Sequence, residues 1–265
     1  MDKGYAPIAD GRLYYEISGS GFPLVLIHGF SFDTRVWKKQ VEDFSPFYQV
    51  IAYDLRGFGK SSLPREDYTH AGDLKVLLDY LNIGQAHLVG HSLGGDVVLD
   101  FVAEYPEYVK CLVLVDAGVH GYTWSKAYKK EIEWFKKELK NSGRSKSGDL
   151  FLQLSFYKSL QDKPELLKEV KNLRKFYSGW HWEHDNPWVR PEPPAIKRLH
   201  EITKDTLVVI GEQEVPDFIK LSSLLSREIP QARLEIISDA GHMVTLEQPE
   251  IFRRLVLEFL QLHDV

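Results

Sequence analysis

Short apolar runs alternate with helix-like segments over the first 118 residues of the chain. The runs are too short for buried helices and fit strands that are covered on both faces. The predicted strands of this kind lie at residues 23–27, 49–53, 86–89 and 109–115. Residues 12–17 instead alternate between apolar and polar side chains, which is typical of a half-exposed strand near a sheet edge.

Helical segments separate these runs, at about residues 34–44, 70–81 and 96–105. Regular alternation of strand and helix is typical of a parallel sheet with helices on both faces. The predicted fold class is therefore α/β, with a mostly parallel central sheet.

The alternation stops after residue 118. From about residue 120 to residue 200 there is no β-rich run, and lysine, glutamate and aromatic residues dominate. Helical patterns occur at Ile132-Phe135-Leu139 and at Leu166-Val170-Leu173, and the polar residues 141–148 between them predict an exposed loop.

Strand patterns return at residues 205–210 and 234–237, and a helical pattern follows each of them. We therefore predict a core domain made of residues 1–118 and 201–265. A helical cap, residues 119–200, is inserted between two strands of its sheet. Such a cap would cover one sheet edge, form a substrate pocket there and exclude water.

Composition narrows the possible functions. The 265 residues carry a net charge of -5, which gives no basic surface for nucleic acid or for an anionic membrane. No stretch approaches the roughly 20 apolar residues of a membrane span, and the N-terminus lacks the apolar core of a signal peptide. The single cysteine, Cys111, rules out an internal disulfide and suits a reducing compartment. We expect a cytoplasmic protein with a small-molecule substrate; no pattern indicates an oligomeric state.

A serine lies between an apolar run and a predicted helix in the stretch Leu88-Val89-Gly90-His91-Ser92-Leu93-Gly94. Side chains at Gly90 and Gly94 would crowd the neighbouring strand or helix, so sterics favour glycine at both positions. This G-x-S-x-G pattern predicts a strained turn that exposes the Ser92 hydroxyl as a nucleophile. The helix N-terminus behind it offers free N–H groups to a developing anion.

With this motif, and with the loops at His28-Gly29-Phe30 and residues 54–61, the chain resembles the α/β-hydrolases. It is most similar to small serine hydrolases of the carboxylesterase and lactonase type with a helical cap. The resemblance implies the α/β-hydrolase fold. It also implies an oxyanion hole formed by the backbone N–H groups of Phe30 and Leu93. The expected chemistry needs neither a metal nor an organic cofactor.

His242 is the predicted general base. It follows the last predicted strand in the pair Gly241-His242, ahead of a C-terminal amphipathic helix, which is the arrangement of the family. Loops at the carboxyl ends of parallel strands meet at one sheet edge, so His242 is expected beside Ser92. A serine hydroxyl is a weak nucleophile at neutral pH and needs such a base.

The carboxylate that orients the base has two main candidates. The family usually places an aspartate three residues after the glycine that closes the penultimate strand. Counted from Gly211, that position is Glu214, and a glutamate still reaches a histidine if its backbone lies slightly further back. Asp116, after the strand at residues 109–115, is the main alternative, because related folds place the acid on that strand.

Five aromatic residues are candidates for the wall of the substrate pocket: His28, His91, Trp180, Trp182 and Trp188. His28 has a second interpretation, as an anchor of its loop through hydrogen bonds. The histidines and carboxylates of residues 181–185 offer no clear ligand geometry and no distant third ligand, so we predict no metal site.

The leading hypothesis is a serine hydrolase that cleaves a small carboxylic ester or lactone through an acyl-enzyme. A hydrolase of C–C bonds in dienoates would use the same residues, and so would a cofactor-free perhydrolase or haloperoxidase-like enzyme. A small-molecule sensor on a hydrolase fold is the non-enzymatic alternative. The fold alone does not separate them.

Overall fold

The computed structural model describes residues 1–142 and 147–263, and within them eight strands form one sheet. In spatial order the strands are β1, β2, β4, β3, β5, β6, β7 and β8. Their bounds are β1 Asp2–Ile8, β2 Gly11–Ser18, β3 Pro23–Ile27, β4 Gln49–Tyr53, β5 Ala86–His91, β6 Val109–Val115, β7 Thr206–Gly211 and β8 Ala232–Ile237. Strands β3 to β8 pair in parallel, which confirms the predicted fold class.

The antiparallel edge of the sheet contains a strand that the sequence pattern does not predict. β1 pairs antiparallel with β2, and β2 pairs antiparallel with β4. Gly4 and Pro7 interrupt the apolar pattern of β1. An edge strand tolerates both residues because one of its sides makes no ladder hydrogen bonds. The predicted edge strand is therefore the second strand, β2.

Helices cover both faces of the sheet and build a separate apolar core on each. Leu74 of α2 (His70–Tyr80), Val97 of α3 (Leu93–Glu104) and Leu221 of α8 (Pro216–Glu228) belong to one core cluster. Phe44 of α1 (Lys38–Phe44) and Phe252 of α10 (Pro249–Gln261) belong to the other. Burial on two faces explains why the central strands are continuous apolar runs.

The segment between β6 and β7 is helical, as predicted. It contains α4 (Lys126–Ser142), α5 (Ser147–Phe151), α6 (Pro164–Arg174) and α7 (Trp180–Glu183), and the described residues there form no sheet strand. Of the predicted loop at residues 141–148, residues 143–146 lie outside the described part of the chain. The division into a core and a cap at residues 119–200 stays a prediction.

Two further features of the fold concern single elements. Cys111 is buried within β6, between two layers of helices. No helix among the described residues is both long enough and apolar enough to cross a membrane.

Candidate active site

Ser92 lies in a strained turn between β5 and α3. Its backbone adopts φ 54° and ψ -111°, a left-handed conformation that costs a non-glycine residue free energy. A Cβ atom on Gly90 would lie 2.4 Å from the carbonyl oxygen of Gly94, and one on Gly94 would lie 2.1 Å from that of Ile27. The close contacts explain both glycines of the motif, and the turn directs the Ser92 hydroxyl away from the sheet.

His242 and Glu214 lie in loops at the same edge of the sheet, after β8 and β7. The Ser92 Oγ lies 3.1 Å from Nε2 of His242, and Nδ1 of His242 lies 2.5 Å from Oε2 of Glu214. The second carboxylate oxygen of Glu214 accepts a 2.6 Å hydrogen bond from the backbone N–H of Val215. His242 and Glu214 are both buried. The three predicted side chains thus form one hydrogen-bonded chain.

Asp116, the alternative acid, is buried at the end of β6. Its Oδ1 accepts a 3.1 Å hydrogen bond from the backbone N–H of Gly211. Burial raises the pKa of its carboxyl group well above the ordinary value, and the negative charge of Glu214 raises it further. Between the two candidates, Glu214 is the carboxylate that the structure hydrogen-bonds to His242.

The predicted oxyanion donors belong to two residues, Phe30 and Leu93, that line the same cavity as Ser92. Leu93 is the first residue of α3, so its N–H has no acceptor within the helix. Phe30 follows Gly29 in the loop after β3, and a Cβ on Gly29 would lie 2.8 Å from Nδ1 of His91 and 3.2 Å from Cβ of Ser92. Glycine therefore lets this loop lie directly against the Ser92 turn.

A cavity of about 440 Å³ opens above Ser92, within the size range of small-ligand sites. Both the core and the segment between β6 and β7 contribute to its wall, which is largely aromatic. Among the lining residues are Phe30, Phe32 and Phe218 from the core and Tyr128, Phe156 and Trp182 from the helical segment. The rings of Phe156 and Phe218 lie 4.8 and 5.1 Å from the His242 ring. The cavity therefore presents apolar surface next to the hydrogen-bonded chain.

Two of the five predicted pocket residues, His91 and Trp182, line this cavity. Burial and the neighbouring His242 lower the pKa of His91 to about 3, so its ring is neutral. Its Nε2 donates a 2.8 Å hydrogen bond to the carbonyl oxygen of His242. The buried side of the ring thus holds the His242 loop.

The other three predicted pocket residues are not among the described residues that line the cavity. His28 is fully buried, donates to the carbonyl oxygen of Gly29 and accepts from the N–H of Leu55, so it anchors its loop. Trp180 and Trp182 belong to the short helix α7, where residues two apart point in nearly opposite directions.

Trp182 therefore faces the cavity while Trp180 stacks on His184 at a centroid distance of 5.1 Å. Trp188 packs against His70 instead, with ring centroids 4.7 Å apart. Among the described lining residues, Trp182 is therefore the one of the three predicted tryptophans that is present, because α7 turns Trp180 away and Trp188 packs on His70.

Sequence reasoning missed the ion pairs that hold the helical segment on the core. Arg190 donates to both carboxylate oxygens of Asp96, at 2.7 and 2.9 Å, and its Nη2 lies 3.1 Å from Oδ2 of Asp100. Asp96 also lines the cavity. Burial raises the pKa of Asp100 to about 7, against the opposing charge of Arg190. The spacing of Asp96 and Asp100, one helical turn apart on α3, was the available signal.

A second charged residue of the lining, Lys136, is exposed on α4. The buried Phe135 and the lining residue Ile132 lie on the same helix, so Lys136 marks the rim where α4 passes from the cavity wall to solvent. Among the described residues, no group of three or more His, Cys, Asp or Glu side chains is arranged to hold a metal ion.

Comparison with known proteins gives matches along nearly the whole chain. The model of the alpha/beta hydrolase fold family matches residues 23–249. The 2-hydroxy-6-oxo-6-phenylhexa-2,4-dienoate hydrolase of Comamonas testosteroni is 29% identical over 274 residues, which span 96% of this chain and 93% of that protein.

Solved structures agree with this match. A thermophilic esterase from Thermogutta terrifontis, solved with malate bound, has a TM-score of 0.81 and 24% identity over 100% of both chains. Est816, an N-acyl homoserine lactone degrading enzyme, has a TM-score of 0.76 and 26% identity, covering 97% of this chain and 100% of its own. With the parallel sheet and the Ser92 turn already described, these matches show that the chain is a hydrolase of the α/β-hydrolase family.

Proposed function

We propose that this protein is a serine hydrolase that cleaves a small carboxylic ester or lactone through an acyl-enzyme. The observation that carries the proposal is the hydrogen-bonded chain from Ser92 through His242 to Glu214, at 3.1 and 2.5 Å, beneath an aromatic cavity. A nucleophile, a base and an orienting carboxylate in this order are the parts that acyl transfer requires.

In the first half of the reaction, the Ser92 Oγ attacks the carbonyl carbon while Nε2 of His242 takes the hydroxyl proton. The charge that develops on the carbonyl oxygen is bound by the N–H groups of Phe30 and Leu93, and such a donor typically contributes about 3 kcal/mol. Glu214 stabilises the imidazolium that forms and fixes the tautomer of His242. His242 then passes its proton to the departing alkoxide, which leaves as an alcohol.

In the second half, water enters and gives a proton to Nε2 of His242 while its oxygen attacks the acyl carbon. Collapse of the second tetrahedral intermediate breaks the bond to the Ser92 Oγ, which takes the proton back. The products are a carboxylic acid and the free enzyme. The apolar rings of Phe156 and Phe218 beside His242 limit the number of water molecules at this step.

The dimensions and wall of the cavity indicate the kind of substrate. A volume of about 440 Å³ suits a compact molecule rather than a polymer chain that is bound along its length. Aromatic side chains on both the core and the helical segment favour an apolar or aromatic group beside the scissile bond. The similarity to Est816, a lactone-degrading enzyme, supports the inclusion of lactones.

Cleavage of a C–C bond is the second candidate function. The observation that favours it is the similarity, along 96% of this chain, to a hydrolase of a phenyl-substituted dienoate. The same nucleophile and base would serve that reaction, and an aromatic cavity would accept a phenyl group. Ester and dienoate substrates are therefore compared in one experiment.

The test is hydrolysis of a series of p-nitrophenyl esters, of acyl lactones and of a phenyl dienoate by the wild type and by Ser92→Ala. We expect ester or lactone turnover by the wild type and a loss on the order of 10³-fold or more in Ser92→Ala. Ser223→Ala, an exposed serine on α8, is the matched control and retains wild-type rates.

Other outcomes select among the alternatives. Turnover of the dienoate with no ester hydrolysis would replace the ester proposal by C–C cleavage. Oxidation that requires peroxide and is lost in Ser92→Ala would indicate perhydrolase chemistry. A compound that raises the melting temperature without being converted would favour a sensor.

A further inference from the structure

A third buried carboxylate, Glu247, lies beneath the loop that carries His242. Glu247 belongs to the short helix α9 (Val244–Glu247), five residues after His242, and its side chain is 0% exposed. Its Oε1 accepts a 2.9 Å hydrogen bond from the backbone N–H of Gly241, the residue before His242. Glu247 therefore holds the backbone next to the proposed base.

The helical segment contributes two donors to the same carboxylate. The Ser159 Oγ donates to Oε1 of Glu247 at 3.1 Å, and Nζ of Lys163 donates to Oε2 at 3.1 Å. Lys163 also donates to the carbonyl oxygen of Asp239 at 2.6 Å. A Cβ on Gly241 would lie 2.4 Å from the Ser159 Oγ, so the segment and the loop are in direct contact.

The charges of Glu247 and Lys163 are expected to affect the protonation of His242 as well as the position of its loop. The negative charges of Glu214 and Glu247 both raise the pKa of the buried Asp116, so the three carboxyl groups interact electrostatically. Lys163 is bound to this group of carboxylates through Glu247. A negative charge near an imidazole favours the protonated ring, and a positive charge disfavours it.

Other titratable side chains also lie near His242. His91 from β5 is neutral, and Asp239 on the loop itself is also paired with Lys163, at 3.3 Å. Tyr128 and Tyr157 border the cavity, and burial raises the pKa of each phenol, so both are neutral. Glu214, Glu247, Asp239 and Lys163 are therefore the charged residues that contact His242 or the loop that carries it.

We propose that Glu247 and Lys163 are positioning residues for His242, so that the helical segment over the cavity supports and tunes the base of the reaction. The proposal rests on the proposed role of His242. Lys163 lies between β6 and β7 in the chain, whereas the loop that it binds follows β8. Seating of this segment on the core thus completes the support of His242.

The test compares two variants, Lys163→Met and Glu247→Gln, that remove charges of opposite sign. Lys163→Met removes a positive charge, so the His242 ring should titrate at higher pH. Glu247→Gln removes a negative charge, so it should titrate at lower pH. Each shift is expected to be on the order of half a pH unit, because the charges act through a partly buried medium.

Two readouts report the shifts. The first is the acidic limb of the pH profile of kcat/KM, with a fall in kcat of several-fold and a nearly unchanged KM in both variants. The second is NMR titration of 13C-labelled histidine rings, with His242 assigned by His242→Gln. The NMR midpoint does not depend on turnover, so it tests the positioning proposal even if ester hydrolysis fails.

Matched variants separate charge from structure. Lys158→Met, an exposed lysine of the same segment, should leave both readouts unchanged. Ser159→Ala removes a hydrogen bond without a charge, so it should lower kcat but leave the midpoint in place. Shifts of the same sign in Lys163→Met and Glu247→Gln, or no shift in either folded variant, would overturn the proposal.

Discussion

Glu214 and Asp116 are the two candidate acids for His242, and their contacts predict unequal roles. Glu214→Gln removes the charge that stabilises the imidazolium, so kcat/KM should fall on the order of 10³-fold. Asp116→Asn keeps a neutral side chain whose Oδ1 still accepts from Gly211, so the loss should stay within about tenfold. Steady-state kinetics of the two variants check this, and a larger loss in Asp116→Asn would assign the acid to Asp116 instead.

Single residues at this site were predictable where backbone geometry demands one residue type. Sterics favour Gly90 and Gly94, the G-x-S-x-G motif indicates Ser92, and the order of strands together with the family arrangement indicates His242. The choice between Glu214 and Asp116 was not predictable, because it depends on which loop approaches the imidazole by a few ångströms. The loop geometry arises from packing between distant segments, which a local pattern does not encode.

Lys136 predicts a preference among substrates. It is the lysine of the described cavity wall. The one Asp or Glu among the described lining residues, Asp96, is already paired with Arg190. Esters that bear a carboxylate remote from the scissile bond should therefore be favoured over neutral esters of equal size. Lys136→Glu should lower the ratio of kcat/KM for the anionic ester to that for the neutral ester about tenfold.

The measurement compares monoesters of dicarboxylic acids with neutral esters of the same size. A second set of esters carries the carboxylate on the alcohol part of the molecule. Lys137→Glu, a neighbouring exposed lysine that does not line the cavity, should leave the ratio near the wild-type value. The preference of the wild type for the anionic ester should disappear at about 1 M salt, where the Debye length is about 3 Å. An unchanged ratio in Lys136→Glu at low salt would contradict the prediction.

Among the elements, the connection from β5 to α3 should be the least tolerant of added volume. Gly94→Ala places a methyl group 2.1 Å from a backbone oxygen of β3, so either strand or helix must move. We expect a loss of about 3 kcal/mol in the free energy of unfolding, together with loss of activity. Urea denaturation measures the first and ester hydrolysis the second.

Gly84→Ala is the matched control, because nothing lies within 4 Å of a Cβ at that position. It should leave stability unchanged or raise it slightly by restricting the unfolded chain. Equal destabilisation by the two alanines would show that the close contact at Gly94 is not the cause.

Strands and helices were predictable from the sequence where their burial follows a regular pattern. The central strands are apolar on both faces and stand out in the sequence, whereas β1 lies at the edge and is mostly exposed. The predicted C-terminal amphipathic helix is present as α10, and of its neighbouring apolar residues Ile251 is exposed whereas Phe252 is buried. A small rotation of a helix changes its buried face, and only tertiary packing sets that rotation.

For the whole molecule, the pairing of Arg190 with Asp96 and Asp100 predicts how stability depends on pH. Burial raises the pKa of Asp100 from its ordinary 3.8 to about 7, so the folded state favours the protonated carboxyl group. The contribution of the Asp100 carboxyl group to the free energy of unfolding is complete below about pH 4 and is lost as the pH rises through about 7. Replacement of Asp100 by asparagine, whose amide stays neutral, should remove this loss of stability at high pH.

The check is urea denaturation of the wild type and Asp100→Asn at about pH 5 and about pH 8. The variant should gain stability relative to the wild type at the higher pH, by an amount on the order of a few kcal/mol. Asp162→Asn, a change at an exposed residue, should follow the wild type at both values. If the free energies of unfolding of Asp100→Asn and of the wild type change equally between these two pH values, the carboxyl group does not change its protonation on folding.

The burial of Cys111 makes the protein suited to site-specific labelling. It is the one cysteine of the sequence and lies inside β6, where a maleimide reagent does not reach the sulfur of the folded chain. Cysteines introduced at the exposed Lys168 and Lys220 would therefore be the positions that take up a dye or a spin label. One label would sit on α6 and the other on α8, so the distance between them would report in solution how the helical segment is placed relative to the core.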